Sequence, residues 1–410
     1  MKVLLLGSGG REHAIAMGLT RDQEVSQIHC APGNPGIAEF AQLHQIDIAN
    51  VSEVVKLAKT LMVDLVVVGP ELPLMNGVAD ALAIEKIPCF GPKKNAALIE
   101  GSKEFAKEIM YKAGVNTARY RTCHNEDELR KACIEFGAPY VIKHDGLAAG
   151  KGVVVTNDLT EAISHGISTN KVVVEEFLSG PEFSLFGICD GENVLAMEAA
   201  QDYKRVGDGD QGLNTGGMGA YSPLDWVSEA DKEFVLNKIL KPVLRVMKEN
   251  NVEFIGVLYA GLIKTADGIK VIEFNARFGD PETQALIPRL KTPLGKLLFN
   301  AATKNLGVSE QLVWSSQSAV AVVLAANGYP IKAIIGDEIF LPVNSENSFV
   351  LHAGTVMKNN MLCSSGGRVL NIIGLGSDQR AARDSAYQKI KEIKLLGSFY
   401  RNDIAKIKSK

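Results

Sequence analysis

The chain has 410 residues, about three times the usual ~150-residue domain, so two to four domains are expected. Apolar residues at 46% and charged residues at 22% exclude a disordered, collagenous or long coiled-coil chain. Lysine plus arginine number 44 against 47 acidic residues, so bulk charge gives no reason to expect nucleic acid or an anionic membrane as partner.

The apolar run Ala319 to Ala326 is far shorter than the ~20 residues that cross a bilayer. Met1-Lys2 leads straight into strand-like residues without an apolar leader, so a cytoplasmic location is expected. The cysteines (Cys30, Cys89, Cys123, Cys133, Cys189 and Cys363) form no C-x-x-C pair, as suits reduced thiols.

In chain order, Val3 to Leu6, Gln27 to Cys30, Leu65 to Val68 and Pro88 to Phe90 read as strands. Arg11 to Leu19, Ser52 to Met62 and Gly77 to Glu85 have helical spacing between them. That alternation predicts a doubly wound parallel sheet. Gly101-Ser102 caps a helix, Lys103 to Ala113, that leaves the domain. A small α+β unit follows, with strands at 118–123, 140–143, 153–156 and 172–177 and helices at 126–136 and 159–167. From Glu182 the pattern is antiparallel, with hairpins turning at Asp190-Gly191 and Asp267-Gly268. A polar glycine loop, 201–219, and a helix, 229–250, lie between the hairpins, and the tail mixes strands before a last helix, Asp378 to Leu395.

Gly7-Ser8-Gly9-Gly10-Arg11-Glu12 follows a strand as a dinucleotide fingerprint would, but Glu12 stands where the third glycine belongs and no acidic residue ends the second strand. A nicotinamide site is not expected. A helix N-terminus that binds a sugar phosphate and a tight turn that binds nothing both fit this loop. Asp145 to Gly152 is not a P-loop, since Asp145 and Gly152 occupy positions that need Gly and Ser or Thr. A glycine turn between strands can instead fold over a triphosphate, with Lys143 and Lys151 as cations; two solvated lysines beside a turn is the plain alternative. Glu175-Glu176-Phe177-Leu178 ends a buried strand, where backbone groups can hold an adenine edge and Glu182 a ribose.

In Glu273-Phe274-Asn275-Ala276-Arg277-Phe278-Gly279-Asp280-Pro281-Glu282, strand alternation puts Glu273 and Asn275 on one face and Ile272 and Phe274 on the other. Two oxygen donors aimed at phosphates suit Mg²⁺, and Arg277 suits a transferring phosphoryl group or a carboxylate. Asp208-Gly209-Asp210-Gln211-Gly212 opens like a calcium loop, but Gly212 and Gly219 stand where oxygen ligands belong, so calcium is excluded.

Taken together, Gly7 to Ala14, Ala31 to Asn34, Val68 to Glu71, Phe90 to Pro92, Glu100 to Lys103, Asp145 to Gly152, Gln201 to Tyr221 and Glu273 to Glu282 resemble the glycinamide ribonucleotide synthetase family of the ATP-grasp superfamily. The resemblance implies an ATP-grasp fold, α/β and α+β in several domains. These are an N-terminal doubly wound parallel-sheet domain (1–101), a connecting helix (102–120), a lid (121–187), a central domain (188–317) and a C-terminal α+β domain (318–410).

The implied reaction is ATP-dependent joining of glycine to 5-phosphoribosylamine through glycyl phosphate, with Mg²⁺ or Mn²⁺, in a chain expected to be a monomer. By resemblance, Lys103, Lys143, Gly150, Lys151 and Gly152 meet phosphates. Glu175, Glu176, Phe177 and Leu178 hold adenine, Glu182 holds ribose, and Lys204 and Asn214 belong to the nucleotide side. Glu273 and Asn275 hold the metal. Gly9, Gly10, Arg11, Gly33, Asn34, Pro70 and Glu71 take the ribose phosphate part. Asp202, Arg205, Gly217, Arg277 and Asp280 line the remaining substrate region, and Arg277, Lys143 and Lys151 carry the chemistry. Two positions depart from the pattern: Ile255 to Ile263 lacks a further acidic ligand, and His144 stands where a small residue is usual.

Overall fold

The structure, a computed structural model, describes residues 1–147, 152–307 and 311–407. The fully buried run Val3–Leu6 needs cover on both faces, which places the strand Lys2–Gly7 in the middle of a sheet. It pairs in parallel with Gln27–Pro32 on one side and Leu65–Val68 on the other, and Gln42–Leu43 and Cys89–Phe90 form the edges. Chain order reverses between Lys2–Gly7 and Leu65–Val68, so the loops after these strands open into a switch-point crevice.

The helix Lys103–Lys112 leaves this domain, capped by the Ser102 hydroxyl, which accepts from Phe105 N–H at 3.2 Å. The lid is an antiparallel sheet in the order Tyr120–Cys123, Val172–Glu175, Tyr140–His144, Val153–Thr156, and two helices close a small core around Leu129, Ile142 and Val174. The central sheet runs Val194–Ala196, Glu182–Asp190, Ile255–Thr265, Gly268–Asn275, with both hairpins where Asp-Gly predicts them. Glu182 already belongs to this central sheet. The lid sheet therefore ends at Glu175, and a boundary at 187 would cut a strand.

The C-terminal sheet takes one strand, Gln201–Asp202, from the segment read as a polar loop, and another begins at that segment's last residue, Gly219. Its order is Gln201–Asp202, Gly219–Ser222, Ser318–Ala325, Arg368–Gly376, Ser348–His352. The expected 229–250 helix contains a π turn, Leu236–Leu240, next to Pro242, whose missing N–H breaks the regular ladder. The last helix stops at Ile390, not Leu395. Ile393 and Leu395 have the i, i+2 spacing of a strand, and Lys394–Leu395 pairs with Ile339–Phe340. Among the described residues no helix is long and apolar enough to cross a membrane.

Candidate functional site

Glu12 organises the first loop. Its carboxylate accepts from Gly9 N–H at 2.7 Å and lies 2.6 Å from Arg11 Nε. It also fills the space beneath the loop: a Cβ at Gly69 would lie 2.1 Å from Glu12 Oε1, and one at Gly7, where φ is +125°, 2.6 Å from its Cγ. Glycine is thus required where the two switch-point loops close over this side chain. Arg11 donates to Phe278 O at 2.9 Å. The Asn34 side chain donates to Ser8 O and His352 O and accepts from Ile37 N–H, so its amide is fully used in shaping the loop. Gly33 joins the same turn through its N–H to Gly7 O at 3.1 Å, and Pro70 precedes the helix Glu71–Met75.

The segment after the Glu273 strand runs into this crevice. Arg277 Nη2 lies 3.0 Å from Glu100 Oε1 and its Nε 3.5 Å from Glu71 Oε2. Burial works against ionised Glu71, yet Arg277 and Arg11 hold its carboxyl below the usual range; burial keeps Glu100 above it. Asp280 is also held low against burial, by Arg368 and Arg11. Its Oδ1 is 3.1 Å from Arg368 Nη1 and accepts from Gln284 Nε2 at 2.7 Å. Gly217 lies against Pro281, where a Cβ would come within 2.3 Å of the ring. Arg368, Gln284 and Asn371 are contributors that sequence reading missed, because each sits in a strand or helix with no motif around it. Among the described residues Gln284 Oε1, Asn371 Nδ2 and Arg277 Nε are buried without a hydrogen-bond partner, which leaves three polar atoms in the crevice able to bind a ligand.

The Glu273 strand is bulged. Glu273 opposes Gly261 while Val271 opposes Leu262, which leaves Ile272 as the extra residue. Ile269 and Val271 face the core before the bulge, and Phe274 and Ala276 face it afterwards. Strict alternation put Ile272 with Phe274; the bulge instead turns Ile272 out of that core, beside Glu273 and Asn275. Among the described residues neither Glu273 nor Asn275 makes a side-chain hydrogen bond. Burial opposes the Glu273 charge, but Lys204, Lys103, Lys143 and Arg277 hold its carboxyl below the ordinary value.

Across a small cavity lined by Lys103, Lys143, Glu175 and Glu273 stands the lid. Lys143 Nζ donates to Ile272 O at 3.2 Å and lies 2.8 Å from Glu175 Oε2. The Glu175 side chain is therefore buried on lysines, and the Glu176 carboxylate turns away to Arg119 at 2.6 Å. Phe177 and Leu178 follow as a connecting segment, and among the described residues their N–H groups have no partner. Asp145 accepts from Lys103 N–H at 2.6 Å and lies 2.9 Å from Lys171 Nζ, so it ties the lid turn to the start of the Lys103 helix. His144 stacks on His165 with ring centroids 4.0 Å apart and its Nε2 lies 3.0 Å from His165 O, which accommodates the unusual side chain, while its backbone N–H donates to Gly152 O at 2.8 Å. Gly150 and Lys151 lie outside the described residues.

Lys204 Nζ is 2.8 Å from Glu182 Oε2, at the start of the central-sheet strand. Arg205 and Asn214 face each other in a hairpin, Arg205–Gly207 with Gln211–Asn214, that the C-terminal tail holds down. Arg401, 1% exposed, reaches Asp210 at 2.9 Å, Asp403 at 2.7 Å and Arg205 O at 2.9 Å; Asn402 N–H donates to Asp208. The acidic loop that resembles a calcium site thus receives an arginine of this chain.

Burial raises the Asp202 carboxyl to about 7; Lys204 pulls it down while Glu282, Glu182 and Glu273 push it up. A carboxyl whose folded value exceeds its unfolded one contributes stability that is full below ~4 and lost as pH rises through ~7. Urea unfolding of the wild type is expected to show this loss between about pH 5 and about pH 8, and Asp202→Asn to abolish it. Equal slopes in the two proteins would rule the titration out.

A lid strand bearing Lys143, set across a small cavity from the oxygen-donor strand that carries Glu273, is the arrangement of an ATP-grasp protein. Family models agree: the ATP-grasp (A) domain of phosphoribosylglycinamide synthetase matches residues 101–283, its N domain 1–100 and its C domain 319–407. The chain belongs to the phosphoribosylglycinamide synthetase family. It is 52% identical to the phosphoribosylamine–glycine ligase of Streptomyces coelicolor, over 99% of both chains, and 48% identical to that of Mycobacterium leprae, over 98% of this chain and 97% of the relative. The crystal structure of phosphoribosylamine–glycine ligase from Thermotoga maritima superposes with a TM-score of 0.85 at 33% identity, covering 98% of this chain and all of that one. The biotin carboxylase domain of Hydrogenobacter thermophilus 2-oxoglutarate carboxylase, in complex with MgADP, ADP and bicarbonate, shares the fold at a TM-score of 0.74 and 16% identity, covering 97% and 91% of the two chains.

Proposed function

We infer that the chain joins glycine to 5-phosphoribosylamine, converting ATP to ADP and phosphate and giving glycinamide ribonucleotide, in purine biosynthesis. One observation carries this reading at the level of residues: the stretch Glu273 to Asp280 links both halves of such a reaction. Glu273 shares a cavity with Lys143 of the lid and Lys103 of the connecting helix, while Arg277 and Asp280 face the switch-point loops.

Glycine carboxylate attacks the γ-phosphorus as the bond to the ADP oxygen breaks. The amine of phosphoribosylamine then bonds to the glycyl carbonyl carbon as phosphate leaves. Lys103, Lys143 and the Gly150-Lys151-Gly152 turn orient the phosphates. The free N–H groups of Phe177 and Leu178 take the adenine edge beside Glu175 and Glu176, and Glu182 with Lys204 and Asn214 closes the ribose end. Arg277 covers negative charge that develops on the transferring group, and Gly9, Gly10, Arg11 and Asp280 receive the phosphoribosyl part.

The residues fit Mg²⁺ or Mn²⁺. Glu273 and Asn275 are hard oxygen donors on one face, Glu273 is held ionised, and no cluster of three or more His, Cys, Asp or Glu among the described residues competes. Two protein ligands suffice for a cation that takes its other ligands from phosphates and water, and when bound it neutralises the phosphate oxygens. Unpaired thiols at all the cysteines support a reducing, cytoplasmic setting.

The test is ADP release by purified protein with ATP, Mg²⁺, glycine and 5-phosphoribosylamine. Turnover that depends on glycine and is not replaced by bicarbonate or formate is expected. Turnover only with those other acids would overturn the reading.

A further inference from the structure

We propose that Lys107 is a positioning residue for nucleotide binding, acting through Glu175 on Lys143. The proposal rests on the reading of Lys143 as a phosphate ligand. Lys107 stands in no recognisable motif and is only 2% exposed. Its Nζ lies 2.9 Å from Glu175 Oε1, donates to Thr117 Oγ1 at 2.8 Å, and sits 5.3 Å from the centre of the Tyr120 ring. An ammonium so enclosed by a carboxylate, a hydroxyl and a ring face is paired as a cation.

Glu175 takes Lys107 on one oxygen and Lys143 on the other. At the two ends of this chain of contacts, the Thr117 hydroxyl donates to Val271 O at 2.7 Å and Lys143 Nζ to Ile272 O at 3.2 Å. The network thus begins and ends on the adjacent carbonyls of the bulge that aims Glu273. It ties the Lys103–Lys112 helix, the lid strands and the donor strand into one unit.

Charge gives Lys107 a second consequence. Two ammonium groups and one carboxylate leave the trio with one net positive charge beside the cavity. Without Lys107, Glu175 cancels Lys143 completely, and a buried carboxylate faces the incoming triphosphate. Burial opposes ionised Glu175, and Lys143 and Lys107 together hold its carboxyl low.

The experiment is calorimetric titration of MgATP into the full chain, with KM for glycine measured alongside. Lys107→Met keeps the stem and removes the charge. Its Kd for MgATP is expected to rise about tenfold or more while KM for glycine stays within about twofold. Adding Glu175→Gln to it removes the stranded anion and is expected to recover most of the loss. A residue that only fills space would give no such recovery, so a double variant as weak as Lys107→Met, or an unchanged Kd in Lys107→Met, overturns the proposal. Should Lys107→Met fail to fold, Thr117→Val takes its place: it removes both the acceptor that aims the ammonium and the hydroxyl's bond to Val271 O, and a rise of about fivefold is expected. No rise there overturns the proposal. Failure of the wild type to bind MgATP would instead sink the reading of Lys143.

Discussion

Replacing Glu273 with glutamine is expected to lower turnover by about a thousandfold or more at saturating ATP and glycine. Glutamine keeps the shape of the side chain and its place after the bulge, so the loss reports charge alone. Among the described residues the carboxylate makes no hydrogen bond, although Lys204, Lys103, Lys143 and Arg277 hold it below its ordinary value, so it is free to share a cation with the phosphates. Because the folded carboxyl sits below its ordinary value, its charge supports the fold above ~4.5 and that support fades as pH falls. A modest loss of stability near neutral pH should accompany the collapse in rate. Metal titration followed by single-turnover phosphate release checks the point, and a variant with wild-type turnover would remove Glu273 from the metal site.

The largest effect on folding is expected at Arg277. Its guanidinium lies between Glu100, 8% exposed at the side chain, and Glu71; burial works against its charge, but these two carboxylates leave its proton more firmly held than usual. Arg277→Met strands the buried Glu100 and leaves the partly exposed Glu71 without its cation, which costs about 3 kcal/mol. The sign of the pH dependence follows. Without the arginine both carboxyls move upward, take up protons as pH falls, and return stability that is missing at high pH. Urea midpoints at about pH 5.5 and about pH 8 should therefore show a smaller deficit at the lower pH, and adding Glu100→Gln should narrow the deficit at the higher. An equal deficit at both would mean that Arg277 is held by packing and not by charge. Turnover should fall with either substitution, because the same side chain faces the reacting phosphate in the proposed mechanism.

Local pattern made much of this legible in the sequence. Buried apolar runs alternating with helices announce the N-terminal sheet, Asp-Gly turns announce both hairpins, and the Glu273–Glu282 stretch announces the centre of the site. What escaped depends on contacts between distant parts of the chain. The bulge at Ile272 is invisible to a rule of strict alternation, because one extra residue changes the face without changing composition. Glu175 reads as a strand end that could serve adenine, yet its side chain is buried between lysines 32 residues before it and 68 residues before it, at Lys143 and Lys107. Gln201–Asp202 looks like a loop because it is too short to show a period, and only pairing with Gly219–Ser222, itself paired with Ser318–Ala325, makes it a strand. Arg368, Gln284 and Asn371 reach the switch-point crevice from residues with no local signature.

The clasp of Arg401, Asn402 and Asp403 on the Asp208–Asp210 bend changes what shortening this polypeptide would mean. Removing the last ten residues would leave the hairpin that carries Arg205 and Asn214 without its anchor, almost two hundred positions away in sequence. Truncation there would act at a distance, by loosening a hairpin that the tail keeps in its place.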